Sequence, residues 1–555
     1  MWLEDKNKLK ELLDRLVKVP SISGTSKEQG VAEEIHKILS EIPYFQENKD
    51  LLHINKLPGD SLERSYVTAL LKGKGNKTVI LLHHHDVVDV QDYGNLKEYA
   101  FDTDTITSKM ETFDLPSDAR KDLESGEWLF GRGVMDMKAG AALQLALMHD
   151  YSQNIEDFDG NIVLVSVPDE ENNSIGILSA VPHLNKLKEE HSLEYRSVIK
   201  SESHQPDDEG NSDIAIGSIG KILPFFYCFG KETHGGNPYG GLNSSLIFSQ
   251  VESLMEFNTD FCDKFRGELT PPPVNLKLND LRGVYNVTTP QVTVGYYNIL
   301  TITSSPYDIL QKMQKVAKQA LDNAIKIYDN SFDSFEELAG EDGIDNSWGT
   351  SEKVSKNWDP KVYTFDELYN SAYQASGEQF LEAYNQAAKE LKETAQDERE
   401  FSLQLVDKVH DYCPDRNPKI IVGFLPPFYP HVKNNRETDK ENYMLEVVER
   451  LQQEGKDKHG IHFNVTEFFK GISDLSYFAV PESEDIAKYM NPNMPANNHV
   501  YNLPIEEISK LDVSVINVGP MGKDAHQYTE RLHMPFFTEK APKILEFTVN
   551  EILKN

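Results

Sequence analysis

Several apolar segments, far apart in the chain, each run into a histidine or a carboxylate, and this restricts the fold more than any other feature. Val79–Leu82 leads into His83-His-His-Asp86, and the β-branched run from Gly160 to Val167 ends at Pro168-Asp-Glu-Glu171. The stretch from Arg196 to Lys200 reaches Ser201-Glu202, and Asp512 to Val518 runs into Gly519-Pro-Met-Gly-Lys-Asp-Ala-His526. Open α/β sheets gather their sites just outside the carboxyl ends of their strands. Scattered structural residues would show no such regularity, so the pattern predicts one site on an α/β sheet. Side chains alternate along a strand, so His84 and Asp86 share a face while His83 and His85 take the other.

Between these segments lies Gly131-Arg-Gly-Val-Met-Asp-Met-Lys-Ala-Gly140, a glycine-rich turn that opens an apolar helical run from Ala139 to Met148. An acid held in such a loop, here Asp136, is placed to bridge two cations. Of the six side chains Asp136, His84, Glu170, Glu171, Glu202 and His526, five are expected to hold a pair of metal ions and one to work beside them. Two adjacent glutamates at the end of a buried strand can divide that labour, one binding metal and the other acting as a base.

Length and charge limit the alternatives. A chain of 555 residues exceeds one ordinary core, so two or more domains are expected. The net charge of −34, from 90 acidic and 56 basic residues, argues against a general nucleic-acid or anionic-membrane surface. Cys228, Cys262 and Cys413 have no CxxC spacing, which points to a reducing compartment. The charged start Met1-Trp-Leu-Glu-Asp-Lys6 lacks an apolar signal core, and no apolar run approaches the ~18 residues of a membrane span. The expectation is a cytoplasmic protein.

In chain order, Leu9, Leu12, Leu13 and Leu16 predict a helix that stops before Pro20, and a second amphipathic helix runs from about Lys27 to Leu39. Tyr66–Leu71 and Val79–Leu82 read as a hairpin joined through Gly73-Lys-Gly-Asn-Lys77. Residues from about Asp89 to Glu127 read as a polar, acidic loop. From Ile219 to Phe229 a strand is expected, then a loop at His234-Gly-Gly-Asn-Pro238, a helix from Leu242 to Phe257, a strand over Val292–Tyr297 and a helix from Tyr307 to Ile327. That order predicts an α+β domain inserted into the first. Residues 327–350 hold seven acids and no Lys or Arg, and read as an exposed acidic loop. Phe365 to about Val409 is helix-rich, and Lys419–Gly423 returns the chain to a sheet before Pro426-Pro427. The expected boundaries are 1–218 and 425–555 for the first domain and 219–424 for the insertion, with an extra acidic, helical insert at about 327–416.

With these residues in view, the chain resembles the di-zinc metallopeptidase and deacylase family that includes aminoacylase, acetylornithine deacetylase, succinyl-diaminopimelate desuccinylase and glutamate carboxypeptidase. The resemblance runs from Leu16-Val-Lys-Val-Pro-Ser-Ile22 to the Ala-His-x-x-x-Glu motif of Ala525 to Glu530. The length of the insertion resembles the arginine-utilisation, RocB-type branch. The resemblance implies a zinc-peptidase-like catalytic domain with a mixed, mostly parallel central sheet, plus an inserted α+β domain of the lid or dimerisation type. It implies His84 and Glu202 on one metal, Glu171 and His526 on the other, and Asp136 bridging the two. Asp86 would orient His84, Glu170 would be the general base, and His234 would stabilise the transition-state oxyanion. A non-proline cis peptide at Asp136–Met137 is implied as well. The cofactors would be two divalent ions, Zn²⁺ by preference, with Co²⁺ or Mn²⁺ admissible. The implied activity is hydrolysis of an amide in a small peptide or N-acyl amino acid by a homodimer or a monomer, with arginine-related catabolism as its setting.

The sequence also departs from the family pattern. Ser201-Glu-Ser-His204 replaces the family's Glu-Pro segment, so His204 or Asp207 competes with Glu202 as a ligand. The strand ending Gly295-Tyr-Tyr-Asn298 lacks the family's arginine. Asn286, in a turn before Pro290, and Gly519 are candidates for substrate contact. The competing class is a non-catalytic binding or regulatory protein that retains the fold; loss of a ligand or of Glu170 would favour it, and none is lost.

Overall fold

The computed structural model describes residues 1–282, 284–344, 353–480 and 483–554. They form two compact units: Met1–Ile219, Pro430–Pro481 and Glu506–Asn555 make the first, and Gly220–Tyr429 and Glu482–Ile505 the second. The segment 482–505, expected in the first domain, thus belongs to the second unit. There Asn493 Oδ1 accepts the Asp366 amide, and the Tyr501 hydroxyl meets the backbone of Phe428.

The first unit opens with α1 (Lys6–Val17) and α2 (Glu28–Ser40). Asp5 caps α1 by accepting the Asn7 and Lys8 amides at 2.9 and 3.1 Å. Leu9, Leu12, Leu13 and Leu16 form its fully buried stripe, at the three- and four-residue spacing of a helix with one face inward. The strands are β1 (Leu52–Lys56), β2 (Ser65–Lys72), β3 (Lys77–His84), β4 (Asn161–Val167), β5 (Glu194–Lys200), β6 (Ser212–Ala215), β7 (Phe463–Thr466) and β8 (Ser514–Asn517). They build one sheet in the order β1-β2-β4-β3-β5-β8-β6-β7. The pairs β4/β3, β3/β5, β5/β8 and β6/β7 are parallel and the rest antiparallel, a mixed and mostly parallel sheet. Alternate residues (Val79 and Leu81 of β3, Ile162 and Leu164 of β4) pack into one core with α1, α2, α3 (Ala139–Ser152), α5 (Asp439–Glu454) and α6 (Ala541–Leu553). On the opposite face lies α4 (Ile175–Glu190), whose His183 Nε2 stands 3.3 Å from Thr68 Oγ1.

Two expectations fail here. β2 and β3 are not a hairpin, because β4 lies between them, antiparallel to β2 and parallel to β3. Every residue of β4 is buried, and such an interior strand takes a partner on each edge. The turn after β2 passes the start of β4 instead, the Lys74 amide donating to Phe158 O at 2.8 Å. Residues 89–127 are not a loop: helices over Gln91–Tyr99, Thr103–Lys109 and Ser117–Ser125 enclose a small core of Tyr93, Leu96, Ile106, Met110 and Phe130. The apolar residues sit one per turn among the acids, and that sparse spacing is enough for short helices against Phe130.

The second unit holds a five-stranded sheet ordered Val274–Asp280, Val292–Thr301, Gly220–Phe229, Lys419–Tyr429, Lys361–Thr364. Lys419–Tyr429 runs through the cis Pro426–Pro427 bond rather than stopping before it, and pairing with Gly220–Phe229 shifts register between Leu425 and Tyr429. Proline has no amide to donate, so the ladder breaks there and resumes beyond it. The helix expected to end at Ile327 spans Pro306–Ala339, because Ala324, Tyr328 and Phe332 extend its buried stripe. Asp333, Glu336 and Glu337 lie on its exposed side, so half of the expected acidic loop is helix. Residues 345–350 of that stretch lie outside the described residues. The edge strand Val274–Asp280 leaves Val274, Leu276 and Leu278 exposed. Among the described residues no helix is long and apolar enough to cross a membrane.

Candidate metal centre

The strand ends of the first unit bring six of the expected side chains together. His84, the last residue of β3, directs Nε2 to Asp136 Oδ1 at 3.1 Å, Glu202 Oε2 at 3.6 Å and Glu170 Oε2 at 4.0 Å. Asp136 turns its other oxygen the opposite way, Oδ2 lying 2.9 Å from His526 Nε2. His526 Nε2 also stands 2.9 Å from Glu171 Oε1. One carboxylate therefore faces two histidines, and each histidine has a further acid beside it.

Asp86 organises three of these residues. Its carbonyl lies 3.1 Å from His84 Nδ1, closer than its carboxylate at 3.6 Å. A carbonyl only accepts, so Nδ1 carries the proton and Nε2 faces the acids. The Asp86 carboxylate accepts the Glu170 and Glu171 amides, each at 3.1 Å, which fixes the turn at the end of β4. Asp169 in that turn (φ 70°) is anchored by Arg64, whose guanidinium reaches Asp169, Glu28 and Asp60 at 2.7, 3.0 and 3.0 Å.

Glu530 holds the Asp136 loop. Its Oε1 accepts the Met135 and Asp136 amides at 3.1 and 3.3 Å, and its Oε2 meets Arg132 at 2.8 Å. The Asp136–Met137 peptide is cis. α3 starts against β5's exit: a Cβ on Gly140 would lie 2.1 Å from Ser201 O. Glu202 is gripped through its backbone by Asn517, amide to Oδ1 at 3.0 Å and carbonyl to Nδ2 at 3.1 Å.

The electrostatics follow from burial against charge. Burial opposes charging of His84, but Glu170, Asp136, Asp86 and Glu202 outweigh it and push the imidazole well above its usual range. Hydrogen bonds to Asp136 and Glu171 raise His526 to about 11. Burial, with Asp136 beside it, raises Glu171 to about 8. Burial would also raise Asp136, yet the two histidines hold it well below the carboxylate range. Protons on the imidazoles thus offset the crowded acids, and cations would replace those protons, since a ligating histidine is neutral. His84 with Asp136 and Glu171, and His84 with Glu170 and Glu202, each offer donor atoms within 4.8 Å of one another. The donor set fits divalent ions.

A model of peptidase family M20/M25/M40 matches residues 99–412. Uncharacterized protein YqjN of Bacillus subtilis (strain 168) is 36% identical over 557 residues, covering 99% of this chain and 97% of that protein. The chain belongs to this family. Protein RocB of the same organism is 29% identical over 555 residues, covering 99% of this chain and 95% of RocB. The M20 family metallo-carboxypeptidase Sso-CP2 from Sulfolobus solfataricus shares the fold, with TM-score 0.54 at 13% identity over 98% of this chain and 99% of that one. As a member of the M20 family the chain is a metal-dependent hydrolase, and its histidine–carboxylate groups suit two divalent ions.

Among the described residues, the remaining candidates are not in these donor groups. His204 is buried against Phe536 with its backbone on Pro520 and Met521, and Asp207 closes an exposed turn with Asn211. Neither is in the donor groups, which removes both as rivals of Glu202. Gly519 abuts the Glu202 backbone, a would-be Cβ lying 2.2 Å from its carbonyl oxygen. His234 and Asn286 belong to the second unit, on neighbouring loops: His234 bridges Thr288, and Asn286 Oδ1 accepts the Thr288 amide at 3.1 Å. Sequence reasoning passed over Lys200, fully buried beside Glu170 and Glu202. A charged residue inside the apolar run Ser197-Val-Ile-Lys200 was the available signal.

Proposed function

We propose that the chain hydrolyses an amide bond of a peptide or an N-acyl amino acid, with a metal-activated water as nucleophile and Glu170 as base. One observation carries the reading: the two oxygens of Asp136 face His84 and His526 separately, at 3.1 and 2.9 Å. On this reading His84, Asp136 and Glu202 hold one cation and His526, Asp136 and Glu171 the other. Imidazole and carboxylate donors favour Zn²⁺, with Co²⁺ or Mn²⁺ as substitutes. Such ions supply Lewis acidity toward the amide carbonyl and lower the pKa of a bound water.

The chain's own groups do the rest. Asp86 keeps His84 in the Nδ1-protonated tautomer and aims the Glu170–Glu171 turn. Glu170 takes the proton of the attacking water and returns it to the leaving nitrogen, so the amine departs neutral. The part of His234 at the oxyanion is supported by its His-Gly-x-x-Pro loop. The RocB relation, together with the acidic composition, supports an arginine-related substrate in the cytoplasm. The exposed apolar edge Val274–Asp280 supports the homodimer over the monomer.

The test is metal content of the purified protein, with amide hydrolysis measured before and after chelation. Two equivalents of metal and chelator-sensitive hydrolysis are expected, faster on arginyl or N-acyl-arginine amides than on neutral analogues. Glu170→Gln should retain the metal and lose turnover by about 10²–10⁴-fold. Absence of hydrolysis in the metal-loaded protein would leave a binding protein on the same fold.

A further inference from the structure

Lys200 ends β5 between β3 and β8, opposite Leu82 and Asn517, and is fully buried. Its ammonium stands 2.7 Å from Glu170 Oε1, 2.9 Å from Glu202 Oε2 and 3.3 Å from Ser473 Oγ. An ammonium taken from water is costly unless paired and hydrogen-bonded, and here its partners are two acids of the metal centre.

The position of Glu170 gives this contact its meaning. Glu170 Oε2 lies 4.0 Å from His84 Nε2, and His84, Glu170 and Glu202 offer donor atoms within 4.8 Å of one another. By distance Glu170 can reach a cation at His84 much as Glu202 can. A carboxylate that becomes a ligand there gives up basicity toward the attacking water. Lys200 holds Glu170 by Oε1, from a strand at the centre of the sheet that cannot follow a moving side chain.

We propose that Lys200 is a positioning residue that keeps Glu170 out of the coordination of the cation at His84 and Glu202, and so reserves it as the base. The inference rests on the function assigned above. Removing the ammonium has two consequences of the same sign for metal: a positive charge leaves the group, and Glu170 Oε1 loses the cation that draws it toward β5.

Lys200→Met keeps the length of the side chain and removes its charge. Divalent-metal affinity, measured on the apoprotein by competition with a chromogenic chelator, should rise about 10-fold or more. The visible absorption of the Co²⁺ form should weaken as a ligand is added, and kcat should fall about 100-fold or more while KM changes little. Weaker metal binding together with lower activity would mark a merely structural lysine and overturn the proposal. Glu170→Gln, with Lys200 in place, should leave metal affinity and the Co²⁺ spectrum as they were. A loss of affinity in that variant would show Glu170 to be a ligand despite Lys200, and it decides the matter even where Lys200→Met does not fold. A wild-type protein that binds no divalent metal sinks both readings. A wild-type protein that binds two ions and hydrolyses amides, while Lys200→Met leaves metal affinity unmoved, sinks this one alone.

Discussion

Replacing Gly519 by alanine tests how the sheet places Glu202. The new methyl would lie 2.2 Å from Glu202 O, 2.6 Å from its carbonyl carbon and 2.6 Å from Ser201 O, all backbone atoms. Cβ contacts under 3.0 Å are essentially not met, so the two segments must part by at least 3.0 − 2.2 = 0.8 Å. Asn517 resists that movement through its paired hydrogen bonds of 3.0 and 3.1 Å to Glu202. Glu202 Oε2 stands 3.6 Å from His84 Nε2, so a shift of this size takes the carboxylate off its partner. Misplacing a reacting group by about 1 Å costs up to about 100-fold in rate, and overpacking costs roughly 1–3 kcal/mol of stability. The expected result for Gly519→Ala is weaker retention of one of two metal equivalents on dialysis and kcat/KM lower by about 100-fold. Gly340→Ala is the control, since its Cβ meets Glu336 O at an ordinary 3.4 Å. If Gly519→Ala keeps both metals at wild-type affinity with unchanged turnover, the close approach does not position Glu202 and the reasoning is refuted.

Other expectations follow from the same geometry. Asp86→Ala leaves the Glu170 and Glu171 amides without their acceptor and should weaken metal binding about 10–100-fold; calorimetric titration with Zn²⁺ reads this, and unchanged affinity would deny Asp86 its role. Burial holds His83 down to about 4 and His85 to about 3, below the ordinary 6.5 of an unfolded histidine. The unfolded chain therefore takes up these protons first, so this contribution to stability is full above pH ~6.5 and is lost as pH falls toward 3–4. His85→Gln should lose about 2 kcal/mol less than wild type between pH 7 and 5, read from denaturant melts at the two pH values; identical losses would count against a neutral buried His85.

Much of the fold and site was legible because burial on one face writes a period into the chain. The stripe of α1, the apolar run of α3, and β3, β4 and β5 ending in His84, Glu170 with Glu171, and Glu202 were all read from local pattern. The 89–127 helices and the extension to Ala339 were obscured by acids, whose exposed side chains dominate composition while a sparse apolar stripe does the folding.

His84, Asp136, Glu202 and His526 were recognisable as candidates because their residue types and their places, just past apolar strands or in a glycine-rich turn, are properties of the chain itself. Which of them face one another was decided by the order of strands. β4 enters between β2 and β3, and β8 returns beside β5 after some three hundred residues. Lys200 meets Glu170 across 30 residues of sequence and Ser473 across 273. Such pairings are set by the burial of the whole sheet, whose energy is shared among distant segments, and for that reason they leave no mark on any one of them.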